Sequence, residues 1–280
     1  MGAMRLMVAV VLWLVTLTST SASPSAPSTE RSSTRRPEQT RGTASAGRVQ
    51  KLAEASVPFT VGETLAYDVS WSSFLVAGTA TTTVKEKRPS YDSVAYYVVA
   101  EGRPLPMLAR LYNLYYKMDA LVDSRTLLSQ RGSLYAEEGD DHRLAATRFD
   151  RAARRAFFEV QSGQTAKTDY AVPPGTQDGL AVLYALRTRA FKAGDRVVTP
   201  VADGGSLYTV SAEVAAPETV RVPLGEFSAW NLKVSIVDGQ GQAAWKNVAI
   251  WISNDARRLP VKLQAELSIG HFVLALRDAR

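Results

Sequence analysis

The chain has 280 residues, 46% of them apolar, a formal net charge of +6 and no cysteine. The missing cysteine excludes disulfides, thiolate metal ligands, a cysteine nucleophile and lipid attachment through a cysteine. The basic charge gives no support to nucleic-acid binding: Arg5 and a net +3 between residues 23 and 56 leave only +2 for residues 57–280, without a basic stripe.

Residues 1–22 have the three-part layout of a secretory signal. A positive start ends at Arg5, an apolar run follows over Leu6–Leu17, and small polar residues surround Thr20-Ser21-Ala22. The run has about a dozen residues against the roughly 20 of a spanning helix. Cleavage after Ala22 and export is the expectation, with retention as an N-terminal anchor the alternative. Residues 23–56 are rich in Ser, Thr, Pro, Ala and Arg, which predicts a disordered tether. It serves either as a solubilising spacer or as a basic arm drawn to anionic lipid or peptidoglycan.

From Val57 the composition changes to that of strands. Leu65, Tyr67, Val69 and Trp71 alternate against Thr64, Ala66, Asp68 and Ser70, the period of a half-buried strand. Phe74–Thr83 and Val84–Lys87 form its partner, and Val94–Ala100 follows a turn. Met107–Tyr116 fits a short helix and a strand equally well. Leu127–Tyr135, the acidic tip Glu137-Glu-Gly-Asp-Asp, His142–Asp150 and Ala156–Gln161 continue the pattern, and a short strand leads to Pro173.

The one convincing amphipathic helix is predicted over 176–189. Pro173, Pro174 and Gly175 stop what precedes it, and Asp178 or Thr176 can accept from the free N–H groups of its first turn. Leu180, Leu183, Tyr184 and Leu186 fall on one face, and Arg187 and Arg189 stand in the last turn, where the helix dipole favours cations. Beyond it come strands at Arg196–Ala202, Leu207–Ala215, Val220–Val222, Phe227–Val237, Trp245–Ser253, Val261–Leu267 and Phe272–Arg277. Asp203-Gly204-Gly205 is a hairpin signal, because primed turns need positive φ. About a dozen short strands at this spacing with one helix predict a mainly β fold: a curved antiparallel sheet or open barrel-like wrap around the helix, in a single domain over 57–280.

No nucleophile elbow, zinc-protease helix, phosphate loop or dinucleotide fingerprint occurs. His142 and His271 are far apart and lack carboxylates at ligand spacing, so no metal site and no cofactor are expected. Glu137, Glu138, Asp140 and Asp141 read as a solvated hairpin tip, since the ordered calcium-loop pattern is missing. Asp178 reads as a cap, with an acid–base role as the alternative. The aromatics Trp71, Tyr115, Tyr184, Trp230 and Trp251 either fill the core or line a cavity under the curved sheet.

Five stretches together resemble the DUF3108 family of bacterial exported proteins. They are Pro58–Trp71, Ala77-Gly-Thr-Ala, Val172–Arg187, Val201–Val210 and Trp251-Ile-Ser-Asn-Asp-Ala-Arg-Arg-Leu-Pro-Val, covering essentially all of 57–280. The motif positions Pro173, Pro174, Gln177, Asp178, Arg187, Asp203, Gly204, Asp255 and Pro260 have structural jobs in turns and caps. The resemblance implies a Gram-negative periplasmic or envelope setting and an antiparallel fold, with no activity and no catalytic residues to carry over. Arg257 or Arg258 is expected to pair with Asp178 or to meet an anionic headgroup. The expectation is therefore a non-enzymatic protein binding a lipid or other hydrophobic envelope molecule between sheet and helix, with Trp71, Tyr115, Tyr184, Trp230, Trp251 and Arg258 as ligand contacts. The alternative is a scaffold or accessory subunit that binds another envelope protein through a sheet edge.

Overall fold

The structure, a computed structural model, describes residues 53–72, 75–91, 93–110, 113–267 and 270–280. The expected signal segment and the tether as far as residue 52 lie outside the described residues, as do Phe74, Leu111 and Tyr112. The strands are β1 (Thr64–Trp71), β2 (Leu75–Ser90), β3 (Ser93–Pro104), β4 (Leu114–Asp123), β5 (Ser129–Glu138), β6 (Asp141–Asp150), β7 (Arg155–Ser162), β8 (Gln164–Ala171), β9 (Arg196–Asp203), β10 (Ser206–Val222), β11 (Gly225–Val237), β12 (Lys246–Ser253), β13 (Pro260–Leu267) and β14 (Gly270–Ala279). The helices among these residues are α1 (Pro106–Ala109) and α2 (Gly179–Arg187).

All fourteen strands belong to one antiparallel sheet, in the order β8-β7-β6-β5-β4-β3-β2-β1-β14-β13-β12-β11-β10-β9. Sequence neighbours are spatial neighbours everywhere but one place. The chain leaves β8 at one edge, passes through α2 and resumes as β9 at the other edge, while β1 pairs with β14 to join the two ends of the described chain. The sheet is thus an open wrap, and its opening falls where the helix is.

The stretch before α2 stands in that opening. The Val172 N–H donates to the Arg154 carbonyl at the β7 side (2.9 Å), and the Gln177 N–H donates to Pro200 of β9 (3.0 Å). The Ala202 N–H returns to the Gln177 carbonyl (2.9 Å), a single parallel bridge. Phe149 and Ala156, from strands near one edge, share a small apolar cluster with Val172 and with Ala202 of the other edge.

Two larger cores lie inside the wrap, and α2 belongs to both. Leu186 joins Leu65, Tyr67, Leu232, Ile252 and Leu276, whereas Leu180, Ala181 and Tyr184 join Phe59, Val98, Tyr116 and Leu134. No residue of α2 is exposed. Each fully buried leucine contributes about 1.5–3 kcal/mol relative to exposure, so a helix of only nine residues is held by the sheet around it, not by propensity.

The alternation read in β1 and the Asp203-Gly204-Gly205 hairpin stand as expected, with Gly204 and Gly205 at φ of 56° and 79°. Three boundaries differ. Met107–Tyr116 divides into α1 and the start of β4, because Pro106 opens a helix turn that ends before Leu114. The two pieces expected at Leu207–Ala215 and Val220–Val222 are one strand carrying a bulge between Val214 and Pro217, which lets a proline ride in the ladder. The central helix is shorter than 176–189, since Thr176 and Gln177 are spent on the seam and Thr188 caps the last turn.

Candidate functional site

The site is built outward from the first turn of α2. Asp178 has extended backbone at the N-cap, and its Oδ1 accepts from the N–H groups of Leu180 (2.9 Å) and Ala181 (3.0 Å). Its own N–H donates to Ser129 Oγ on β5 (2.9 Å). The Arg151 guanidinium donates to the carbonyls of Thr176 and Ser129 and lies over the Phe149 ring, clamping the seam to β5. Gly132 on β5 makes room for the cap: a Cβ there would lie 2.8 Å from Asp178 Cβ and 2.9 Å from its Cγ.

The second carboxylate oxygen of Asp178 is buried and has no hydrogen-bond partner, and the same holds for Oδ2 of Asp203 at the end of β9. Both side chains border one small pocket, with Asp119, Ser133, Thr147 and Phe158 among its other walls. Burial raises the Asp203 carboxyl well above the usual carboxylate range, and the Asp178 charge raises it further, opposed by the Gly204 N–H and by Arg143. Burial also raises Asp178, opposed by the Ser129 hydroxyl and the two capped N–H groups.

Two apolar clefts flank the helix. Val182, Leu183 and Leu186 face Val197, Val210 and Ile236 across one of them, and Leu180 and Leu183 face Tyr67, Met118 and Leu274 across the other. Each has a volume of about 60 Å³. Leu183 borders both clefts, and Gly179 borders both clefts and the acidic pocket. Three compartments therefore have the first residue of α2 in their walls.

The other end of the helix is closed by Arg187. Its guanidinium binds Glu63 through both carboxylate oxygens (2.6 and 2.9 Å) and donates to the carbonyls of Arg257 (3.1 Å) and Arg258 (3.0 Å). Those carbonyls are presented by a turn in which Asp255 Oδ1 accepts from the N–H groups of Arg257 and Arg258, and Pro260 receives the Tyr67 hydroxyl (2.9 Å). This corrects the expected pairing of Asp178 with Arg257 or Arg258. Asp178 caps the N-terminus of α2 while the arginine turn meets its C-terminus, so the helix length separates them.

The residues expected to contact a ligand are scattered through the fold. Trp71 packs half-buried at the end of β1 against the larger core. On β4, Tyr115 donates its hydroxyl to Glu101 beneath the Arg103 guanidinium; burial first and that hydrogen bond second push its pKa up to about 12. Tyr184 is in the core on α2, edge-on to Phe59. Trp230 donates to Asn254 (2.8 Å), Trp251 donates to Glu218 with Lys262 over its ring, and Arg258 lies over Phe191. None of these six borders the two clefts or the acidic pocket. Among the motif positions, Gln177 bridges the seam, Asp178 and Asp203 border the pocket, and Pro173 and Pro174 are exposed.

Among the described residues no group of three or more His, Cys, Asp or Glu could hold a metal ion. His142 stacks beside Tyr135 near the acidic tip, and His271 faces Glu266 across β13 and β14. No described helix is long and apolar enough to cross a membrane.

Sequence reasoning missed Glu63, Ser129, Gly132 and Arg151, and it read the Asp203 carboxyl only as turn chemistry. Glu63 stands in the Gly62-Glu63 turn, where a charged residue looks solvated; no local signal reveals a partner 124 residues away.

The family described as "Protein of unknown function (DUF3108)" matches residues 66–277. No curated protein matches the chain. Among solved structures, a β-barrel-like protein of a domain of unknown function, DUF1849, from Brucella abortus is similar at 9% identity and a TM-score of 0.51, covering 78% of this chain and 97% of that one. A candidate exported protein with a YmcC-like fold from Bacteroides fragilis (10% identity, TM-score 0.30, 81% and 100% coverage) is also similar. So is a candidate lipoprotein from Parabacteroides distasonis (8%, 0.32, 81% and 100%). The Brucella likeness is one of fold.

Proposed function

The chain belongs to the DUF3108 family of proteins of unknown function, and from that premise we propose that it is a non-enzymatic protein of the cell envelope that holds an apolar chain between α2 and the sheet. The observation that carries this reading is the pair of apolar clefts on the two flanks of α2, both bordered by Gly179 and Leu183. The export reading rests on the layout of residues 1–22, with the periplasm as the destination.

Each cleft is smaller than an acyl chain, so binding requires Leu183 to swing or α2 to shift. Burial of about 0.8 kcal/mol per methylene drives that step. Ten methylenes then supply about 8 kcal/mol before ordering costs, the scale of a micromolar complex. Contacts from Val182, Leu183, Val210 and Ile236 replace the scattered aromatics as the lining of the chain.

Native mass spectrometry with lipid extraction of the exported protein, followed by titration with fluorescent long-chain probes, tests the proposal. A stoichiometric co-purifying amphiphile and saturable uptake are expected, with uptake at least tenfold weaker in Leu183→Trp. A protein that carries no lipid and takes up no probe overturns it. The scaffold reading draws on β8, an edge strand whose residues are almost all exposed and whose outer backbone groups are open to a partner strand. Capture of a defined envelope partner that is lost on placing proline in β8, from a protein without lipid, would favour it.

A further inference from the structure

We propose that the pocket between Asp178 and Asp203 receives a primary ammonium head, so that the occupant of the clefts is a single-chain amphiphile ending in an amine. This rests on the reading of the clefts as a chain site and adds the chemistry of the head.

The geometry begins at Gly179. The acidic pocket and both clefts have Gly179 in their walls, so a ligand whose head occupies the pocket lies beside both clefts. Two carboxylate oxygens, Asp178 Oδ2 and Asp203 Oδ2, are buried there without hydrogen-bond partners. An unmet buried acceptor costs about 1–3 kcal/mol, and here two such groups border one small space. Asp178 cannot turn away, because its other oxygen is held by two helix N–H groups and Gly132 packs against its Cβ. Asp203 is fixed by the tight turn at Gly204 and Gly205. A group placed between them must donate hydrogen bonds in two directions and is favoured if it carries positive charge.

The nearby guanidinium groups do not fill that role. Arg151 is committed to the carbonyls of Ser129 and Thr176, Arg143 acts on Asp203 through its charge, and neither borders the pocket. Asp119, the third acid in the walls, accepts from Ser133 (2.6 Å). A divalent cation is a poor match, since calcium takes 6–8 oxygen ligands and no group of acids here is arranged to supply them. An ammonium needs three acceptors and tolerates the apolar walls from Met118, Leu134 and the Phe158 ring, whose face attracts cations. A fatty acid or phosphate headgroup is disfavoured, because it would bring a like charge to two buried carboxyls.

Ligand binding is then linked to proton release. The cation favours the ionised form of a carboxyl that burial and its acidic neighbour keep protonated, so amine affinity rises with pH through the range in which Asp203 titrates. The groups facing Asp203 are Asp178, Arg143, Tyr170, Tyr208 and the Gly204 N–H.

Calorimetric titration of the whole exported protein with dodecylamine, dodecanol and laurate, below their micelle concentrations, provides the test. Dodecylamine is expected to bind at least tenfold more tightly than the other two and to release protons, measured in two buffers of different ionisation heat. Asp203→Asn and, independently, Asp178→Asn should remove the preference for dodecylamine over dodecanol. Equal affinity for the three compounds, or a preference for laurate, overturns the head pocket while the chain site stands. Failure of all three to bind overturns both.

Discussion

Arg187 and Glu63 form a two-hydrogen-bond ion pair with side chains only 1% and 7% exposed, joining the last turn of α2 to the turn that opens β1. Phe59 and Tyr184 lie beside the same guanidinium. Removing one member of a buried pair strands the other charge, at about 3–5 kcal/mol. Glu63→Leu and Arg187→Met are each expected to destabilise on that scale. Arg187→Met also leaves the carbonyls of Arg257 and Arg258 without their donor. The double variant should be less destabilised than the sum by at least about 1 kcal/mol, read from a double-mutant cycle in urea. Additive losses would show that the two side chains are not coupled.

Gly132 is the neighbour that Asp178 cannot do without. A methyl group at that position meets the aspartate Cβ at 2.8 Å, on a cap locked by two helix N–H groups and by Ser129. Gly132→Ala should therefore cost about 1–3 kcal/mol as overpacking, although alanine is ordinarily the better strand residue. Asp178→Gly should cost about 1 kcal/mol or less, because the side-chain cap is lost but glycine is tolerated at an N-cap. Combining it with Gly132→Ala removes the Cβ that the new methyl group meets, so the pair costs less than the sum. Urea midpoints of the four proteins decide this.

The sheet was legible because its strands alternate and are separated by turn residues, as in Leu65–Trp71 and at Asp203-Gly204-Gly205. The cap was legible too, since Asp178 stands before an apolar stripe at helical spacing. Arg187 was visible only as a cation in a last turn, because the sequence does not carry the wrap that buries it. The clefts were hidden for the same reason: Val210 and Ile236 look like ordinary strand residues until β9–β12 curve past α2. Aromatic side chains read as ligand contacts, yet Trp230 and Trp251 satisfy their indoles on Asn254 and Glu218.

Asp203 makes stability depend on pH in a direction opposite to that of a salt-bridged carboxylate. In the unfolded chain its carboxyl titrates near the ordinary value of 3.8, whereas burial and Asp178 hold it protonated to higher pH in the native state. Below the unfolded value both states keep the proton. As pH rises above it, the unfolded chain releases its proton while the folded chain retains it, so stability falls until the native carboxyl also ionises. Asp203→Asn removes this loss. The variant should gain stability relative to the parent as pH rises above the range of the unfolded carboxyl, with the difference growing until the native carboxyl ionises. A difference that stays constant as pH rises would mean that the native carboxyl titrates like an exposed one.

Leu183 separates a helix that only fills the core from one that makes room for a ligand. Its side chain borders the clefts on both flanks of α2 and is half-buried. Truncation to alanine removes packing from both sides, and a leucine-to-alanine change in a core costs about 2–5 kcal/mol; partial exposure places this one near the lower limit. The same change joins the two clefts into a larger apolar space. If that space takes a chain, a long-chain amphiphile at 100 times its dissociation constant restores about 2.7 kcal/mol, enough to offset the truncation. Thermal melts of Leu183→Ala with and without dodecylamine should therefore converge on the parent protein as ligand is added. Leu276→Ala, fully buried in the same core but bordering neither cleft, should lose stability and gain no more from the ligand than the parent does. Equal recovery of the two variants would mean that the amphiphile acts on the whole surface and that the space beside α2 has no special affinity for it.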